Sequence, residues 1–141
     1  MAKKKELGMK WFHFLIYFVL WFNAGICAFL GFFILGLATD TLTMLYGGAM
    51  MAFAVFCLIT RSRLAKFKKG APGCLYAFYI LGNIVLVLVF NIAYWATAGG
   101  SLNELLVMLL DPEFIITIVW TIIMVSLNKV YFNKRKHLFV N

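Results

Sequence analysis

The sequence predicts an all-α fold: an integral membrane four-helix bundle with both termini cytoplasmic and a short interfacial helix between the third and fourth spans. Three observations predict it. The chain of 141 residues is 65% apolar and only 13% charged, whereas a soluble domain is roughly 45–50% apolar and about 25% charged. A water-soluble fold of this length cannot hide so much apolar side chain. Four apolar stretches, at about 11–38, 41–60, 74–97 and 113–132, reach or nearly reach the roughly 20 helical residues that cross a hydrocarbon core. The charges, finally, are sorted by connection. All 13 Lys and Arg residues fall before the first span, between the second and third, or from the last turn of the fourth (Lys129) onward, while the other two connections carry Asp40, Glu104, Asp111 and Glu113. Helices follow because backbone groups in lipid must bond within their own segment, and barrel strands would be shorter and alternate in polarity.

Lys and Arg are retained on the cytoplasmic side. That rule places residues 1–10, the stretch 61–73 and the C-terminal tail inside, and the connections near 39–41 and 98–113 outside. An odd number of spans would export one basic cluster, so parity supports four. The whole chain then reads as a single transmembrane domain, 1–141.

The first span opens with Trp11, Phe12, Phe14, Tyr17 and Phe18, rings that suit a membrane–water interface. Its length is far beyond the roughly 7–15 residues of a secretory signal core, so it is expected to be retained. The excess length implies tilt or a projecting end. Its outer half turns to small residues, with Ala24 and Ala28 four apart; in the second span Gly48 and Ala52 repeat that spacing. Small faces let backbones approach closely in lipid. The turn between these spans is very short, so the two faces are expected to meet as an antiparallel hairpin.

The basic stretch "ITRSRLAKFKKGAPGC" carries Arg61, Arg63, Lys66, Lys68 and Lys69. As a cytoplasmic turn it lies against anionic headgroups, each cation contributing about 1 kcal/mol near the surface. A docking site for an acidic protein is the sharper alternative. Nucleic acid is not expected, because aromatic platforms and recognisable nucleic-acid motifs are missing.

After the third span, "AGGS" breaks the helix, and Ser101 to Glu104 has the spacing of a capping box. Residues 102–110 measure only about 14 Å as a helix, too short to cross. They are expected in the outer interface, as a tight reversal or as a lid over an outward cavity. "DPE" restarts the chain: Asp111 can cap, Pro112 suits a first turn and Glu113 favours the positive end of the dipole. The ending "YFNKRKHLFVN" sets rings at the inner interface with Lys134, Arg135 and Lys136 just beyond, in the manner of snorkelling anchors.

Two stretches, "TRSRLAKFKKGAPGCLYAFYI" and "VYFNKRKHLF", resemble small uncharacterised four-span membrane proteins of Gram-positive, often gut-dwelling, bacteria. In that group a basic loop leads into the third helix and a YFxKRxxLF tail ends the chain. The resemblance covers about a quarter of the residues. It implies the four-span fold and a bacterial plasma (inner) membrane, and it carries no activity.

A polar side chain within a span is expensive, so each is a candidate for function. Counted from the span boundaries, Asn23, Asn83 and Thr121 fall near one depth, around the midplane. They fit two roles: polar glue between helices, where such hydrogen bonds contribute about 0.6 kcal/mol on average, or a small polar binding pocket. Asn91 lies nearer the outer face. The spans hold no Asp, Glu or Arg or Lys at mid-depth, so a proton-coupled exporter of the small multidrug type lacks its carboxylate. Cys27, Cys57 and Cys74 form no CxxC pair, which excludes a membrane thiol oxidase built on that pair. His13 and His137 stand apart from other ligand-type residues, so no metal and no cofactor is expected, and no nucleophile–base pair points to an enzyme. The sequence reading is therefore a non-catalytic membrane protein acting through association, as a homo-oligomer or with a membrane-protein partner. A small-solute channel or transporter using the midplane residues is the alternative, and a hole-forming protein of the holin kind is a third, weaker reading.

Overall fold

The computed structural model describes residues 8–140; the expected cytoplasmic cations Lys3, Lys4 and Lys5 lie outside them. The described chain is helical, with no strand among its residues. Four helices are long and apolar enough to cross a membrane: α1 Lys10–Leu37, α2 Thr41–Ala65, α3 Ala71–Ala98 and α5 Pro112–Asn133, with the short α4 Leu102–Leu109 between the last two. A single 3-10 turn, Lys136–Leu138, follows α5. This is the make-up of a multi-pass membrane protein. The spans alternate in direction, so one end of the bundle gathers the start of α1, the α2–α3 turn and the tail after α5. That end is basic. The other holds Asp40, Glu104, Asp111 and Glu113.

The helix ends follow from local chemistry. α1 stops where Ala38 becomes extended (φ −67°, ψ 123°). Two residues later Asp40 caps α2, its Oδ1 accepting from the Thr43 N–H at 2.9 Å. Hydrogen bonding from the Thr43 hydroxyl, and then from its backbone N–H, draws the Asp40 carboxyl below its ordinary pKa. α2 runs five residues further than its apolar run, to Ala65, because nothing in Arg61–Ala65 breaks a helix; Arg61 and Arg63 therefore ride on its last turns rather than in a loop. It ends in a Schellman arrangement: Phe67 N–H donates to Leu64 O (2.9 Å) and Lys68 N–H to Arg63 O (3.0 Å). The left-handed position in that motif is usually Gly or Asn, yet here it is Phe67 (φ 50°). The strain, of order 1–2 kcal/mol, is offset by the ring, which stacks on Phe12 at 5.0 Å and meets Phe139 at 5.5 Å. Gly70 (φ 81°) then turns the chain into α3, with Pro72 in its first turn.

At the acidic end the expected capping box forms: Glu104 N–H donates to Ser101 Oγ (3.4 Å) and Ser101 N–H to Glu104 Oε2 (3.0 Å). The Trp95 indole N–H donates to Ser101 O at 2.8 Å, tying the end of α3 to the start of α4. Asp111 Oδ1 accepts from Glu113 N–H at 2.8 Å and starts α5.

Packing is uneven. α1 from Leu20 to Leu37 packs closely on α2, burying Leu20, Ala24, Cys27 and Gly31 against Gly47, Met50, Ala54 and Cys57. The seam is closest at two glycines. A Cβ on Gly31 would stand 2.9 Å from Met51 Cγ and 3.0 Å from the Gly47 carbonyl oxygen, and a Cβ on Gly47 would stand 2.8 Å from Leu35 Cγ. α3 joins this hairpin through Phe78, whose ring stacks on Phe53 of α2 at 5.6 Å. α5 packs on the first half of α3, and no residue of α3 from Leu86 to Ala98 is buried.

Two spans contain a π turn, Leu15–Val19 in α1 and Leu81–Val85 in α3. In each, one carbonyl drops out of the regular helical ladder.

The close seam yields a direct test. Gly31→Leu is expected to destabilise the folded chain by about 1–3 kcal/mol through overpacking, read as a lower midpoint in thermal unfolding in mild detergent. Gly25→Leu, on the same helix with nothing within 4 Å of its Cβ, is expected to stay within about 0.5 kcal/mol of the parent.

Candidate functional site

The three midplane residues come from three different helices, and among the described residues no hydrogen bond joins them. Asn23 Nδ2 donates to Val19 O of its own helix at 2.9 Å. Thr121 is 2% exposed and its Oγ1 donates to Thr117 O at 2.8 Å. Asn83 is half-buried within the π turn of α3. Asn23 and Thr121 thus each direct one donor to their own helices, by the back-bonding to a carbonyl one turn earlier that short polar side chains favour in a helix.

The small residues divide by face. Ala24 is buried and Ala28 half-buried in the α1–α2 seam. Gly48 and Ala52 are exposed, and a Cβ on Gly48 would meet nothing within 4 Å. The expected partners of Ala24 and Ala28 are replaced by Gly47 and Ala54, because one residue of α-helix turns the face by about 100°.

The basic residues also divide. Lys66, Lys68, Lys69, Lys134 and Lys136 are exposed. Arg63 Nη2 donates to Lys69 O at 3.4 Å, within the turn. Arg61 reaches back along α1: its Nε donates to Ile16 O at 3.2 Å and its guanidinium lies 4.9 Å from the centre of the Trp21 ring. Ile16 O belongs to the π turn, so the side chain meets a carbonyl that the helix ladder gives up.

Arg135, expected at the membrane surface, is instead 6% exposed. Its Nη1 donates to Tyr131 O at 2.9 Å, its Nη2 donates to Gly8 O at 2.8 Å, and the guanidinium lies 3.7 Å from the centre of the Tyr131 ring. None of these partners is a carboxylate. The Tyr131 hydroxyl donates to the same Gly8 O at 3.4 Å and accepts from Phe12 N–H at 3.3 Å. Gly8, just before α1, is thereby fastened to the end of α5.

The sequence reading passed over the strongest polar tie between spans. Trp11 Nε1 donates to Asn128 Oδ1 at 3.0 Å, and the Asn128 amide donates to Met124 O at 2.8 Å; Asn128 is fully buried. Tyr79 of α3 is buried beside Asn128, its hydroxyl without a hydrogen-bond partner. Under this layer Phe12, Phe67, Phe132 and Phe139 close the basic end, with Phe132 and Phe139 meeting edge-to-face at 5.5 Å. The signal was present: Asn128 adjoins Lys129 and lies about one turn inside Tyr131 and Phe132, where a polar side chain meets a Trp of the facing helix.

Cavities occur at both ends. One, of about 660 Å³, lies at the basic end between Lys69–Gly73, the start of α3 and the tail after α5. Another, of about 340 Å³, lies at the acidic end between the diverging parts of α3 and α5, lined by Asn91, Asp111, Glu113 and Thr117. Asn23, Asn83 and Thr121 line neither. Cys27 and Cys57 are buried thiols and Cys74 is half-buried; all three are free. Among the described residues no three of His, Cys, Asp and Glu gather closely enough to hold a metal ion.

Comparison of the chain with protein-family models, with curated proteins and with solved structures finds no match.

The tie between α1 and α5 is open to a double-mutant cycle in mild detergent with Trp11→Phe and Asn128→Leu. The expected coupling is about 0.6 kcal/mol and up to nearly 2 kcal/mol. Additive effects would mean that the hydrogen bond contributes nothing to the fold.

Proposed function

We propose that this chain is a non-catalytic multi-pass protein of a bacterial plasma membrane that works by associating with membrane proteins, either further copies of itself or a partner for which it is an accessory subunit. One observation carries the reading. On α2, Leu45, Gly48, Ala52, Val55 and Ile59 are all exposed and follow one another at intervals of three and four residues. They form one continuous stripe with its two small residues in the middle. Lipid tails are as apolar as these side chains, so helices in a bilayer associate through close packing, and small residues flanked by branched ones permit it. The two small residues expected to pack within the hairpin are the ones left free for an outside helix. The midplane residues favour the same reading over a channel, since no hydrogen bond joins them and Asn23 and Thr121 each direct one donor to a carbonyl of its own helix.

The basic end belongs at the cytosol in this proposal, with both ends of the chain inside. Support comes from the separation of charge: the described cations lie at or near one end of the bundle and the described carboxylates at the other. Anionic headgroups of the inner leaflet attract such a surface, and nucleic acid has no part in it.

Two measurements check these statements. Gly48→Ile is expected to weaken self-association or partner co-purification in mild detergent at least ten-fold, about 1.4 kcal/mol, while the thermal midpoint stays that of the parent because the added carbons enter open space. A strictly monomeric parent with no reproducible partner overturns the association reading. Reporter fusions after Asp40, Lys68 and Glu104 are expected to show Lys68 inside and the other two outside; a periplasm-active reporter at Lys68 reverses the orientation.

A further inference from the structure

The cavity at the basic end combines features that the fold itself does not use. Lys69 and Lys136 stand on opposite sides of it, the first on the α2–α3 turn and the second on the tail after α5, and His137 adds an imidazole beside Lys136. The carboxylates among the described residues are Asp40, Glu104, Asp111 and Glu113, all at the other end of the bundle, so no described acid is placed to neutralise these cations. The start of α3 opens onto the same space. At that start the Ala71 N–H donates to Lys68 O at 3.0 Å and Pro72 has no N–H, so the helix brings the positive end of its dipole, rather than a row of free donors, beside the two lysines. The remaining wall is mostly apolar, with Tyr76, Pro72 and Val140 at its surface, Phe132 and Phe139 nearly buried behind it, and Asn133 beside them. The cavity sits where α3 begins and α5 ends, at the level where apolar helix gives way to polar chain.

We propose that this groove is a binding site for the phosphate headgroup of an anionic phospholipid. Lys69 and Lys136 bracket the phosphate as two point charges, the first turn of α3 adds its dipole, and the glycerol and first acyl carbons run over Tyr76 and Pro72 toward the hydrocarbon. A soluble phosphate ester shares the headgroup chemistry and gains nothing from that apolar wall. The site differs from diffuse attraction to the leaflet because it asks for particular lysines. It is also independent of the association stripe on α2.

The test is native mass spectrometry of the full chain in mild detergent, titrated separately with phosphatidylglycerol and phosphatidylcholine, with glycerol phosphate as competitor. One phosphatidylglycerol per chain is expected at concentrations where phosphatidylcholine does not bind. Lys69→Gln with Lys136→Gln is expected to lower that affinity at least ten-fold. Gly73→Leu is expected to do the same by filling the groove, since nothing lies within 4 Å of its Cβ. The pair Lys66→Gln and Lys134→Gln removes the same charge outside the groove and is expected to change affinity less than two-fold, all variants keeping the parent thermal midpoint. Equal losses from the two lysine pairs, or equal retention of phosphatidylcholine, would overturn the site. Displacement by glycerol phosphate at concentrations comparable to the lipid would overturn the lipid as its occupant.

Discussion

In hydrocarbon a helix gains little by exchanging lipid for another helix, so a bundle stands on how closely its backbones can approach. Here that approach is made at Gly31 and Gly47, where an added carbon on either residue would press into the facing helix. With the axes held this near, Ala24, Cys27, Met50, Ala54 and Cys57 interleave, and α1 from Leu20 onward packs with α2 as one element. α3 meets α2 closely at Gly82, where a Cβ would stand 2.7 Å from Phe53 Cζ, but α3 and α5 have no such approach to each other. They lie together over the first half of α3, and toward the acidic end they diverge around a cavity, connected there by α4 and its capping box. One hairpin is a rigid unit. The other is secured mainly at one end.

The securing end is the basic one, and the way its cations are held has consequences. A guanidinium that is nearly buried needs acceptors at every donor or a polarisable face against it. Arg135 finds two backbone carbonyls and the Tyr131 ring. Arg61 finds the carbonyl that a π turn leaves over, and the face of Trp21. Both arginines thus lean on neutral dipoles, although the buried Nε of Arg135 keeps no acceptor. The exposed lysines around them add to the positive field, and among the described residues no carboxylate lies at this end. An anionic leaflet is the natural counter-charge for such a field, and the geometry of the groove follows from the same elements that build the aromatic seal beneath it: the α2–α3 turn, held by Phe67 in a strained conformation, and the tail, held by Phe139.

Much of this was legible in the sequence, because spans, caps and charge sorting are local. Ser101 and Glu104 announce their capping box and Asp111 its helix start. The apolar run of α2 ends at Thr60 but its helix does not, because Arg61–Ala65 are compatible with helix and the chain turns only at Phe67 and Gly70. The phase of packing was not legible. Small residues occur at adjacent positions 47, 48 and 49, and spacing alone does not say which of them meets α1. The π turns carry no composition signal and shift the face of everything beyond them, so depth counting, which ignores azimuth, grouped Asn23, Asn83 and Thr121 without showing whether they face one another. Asn128 escaped because it sits near a cluster of cations and reads as part of the interface. Arg135 escaped because the carbonyl it needs, that of Gly8, is 127 residues away.

The adjacent glycines of α2 make the final point about how this helix is used. Gly47 faces α1 and is filled from across the seam, while Gly48, about 100° around the axis, faces nothing. Counting on by the same angle, Phe53 and Tyr46 point toward α3, where they meet Phe78 and Phe90, and Leu45, Ala52, Val55 and Ile59 fall with Gly48 on the side that remains. α2 therefore has two of its three sides occupied within the chain, and its third is built from residues suited to close packing. A helix that only had to face lipid would gain nothing from glycine in its middle, since glycine weakens a helix by roughly 0.8–1.0 kcal/mol relative to alanine. That cost is accounted for at Gly47 by the seam. At Gly48 nothing inside the molecule accounts for it, and an external helix seated against the stripe would.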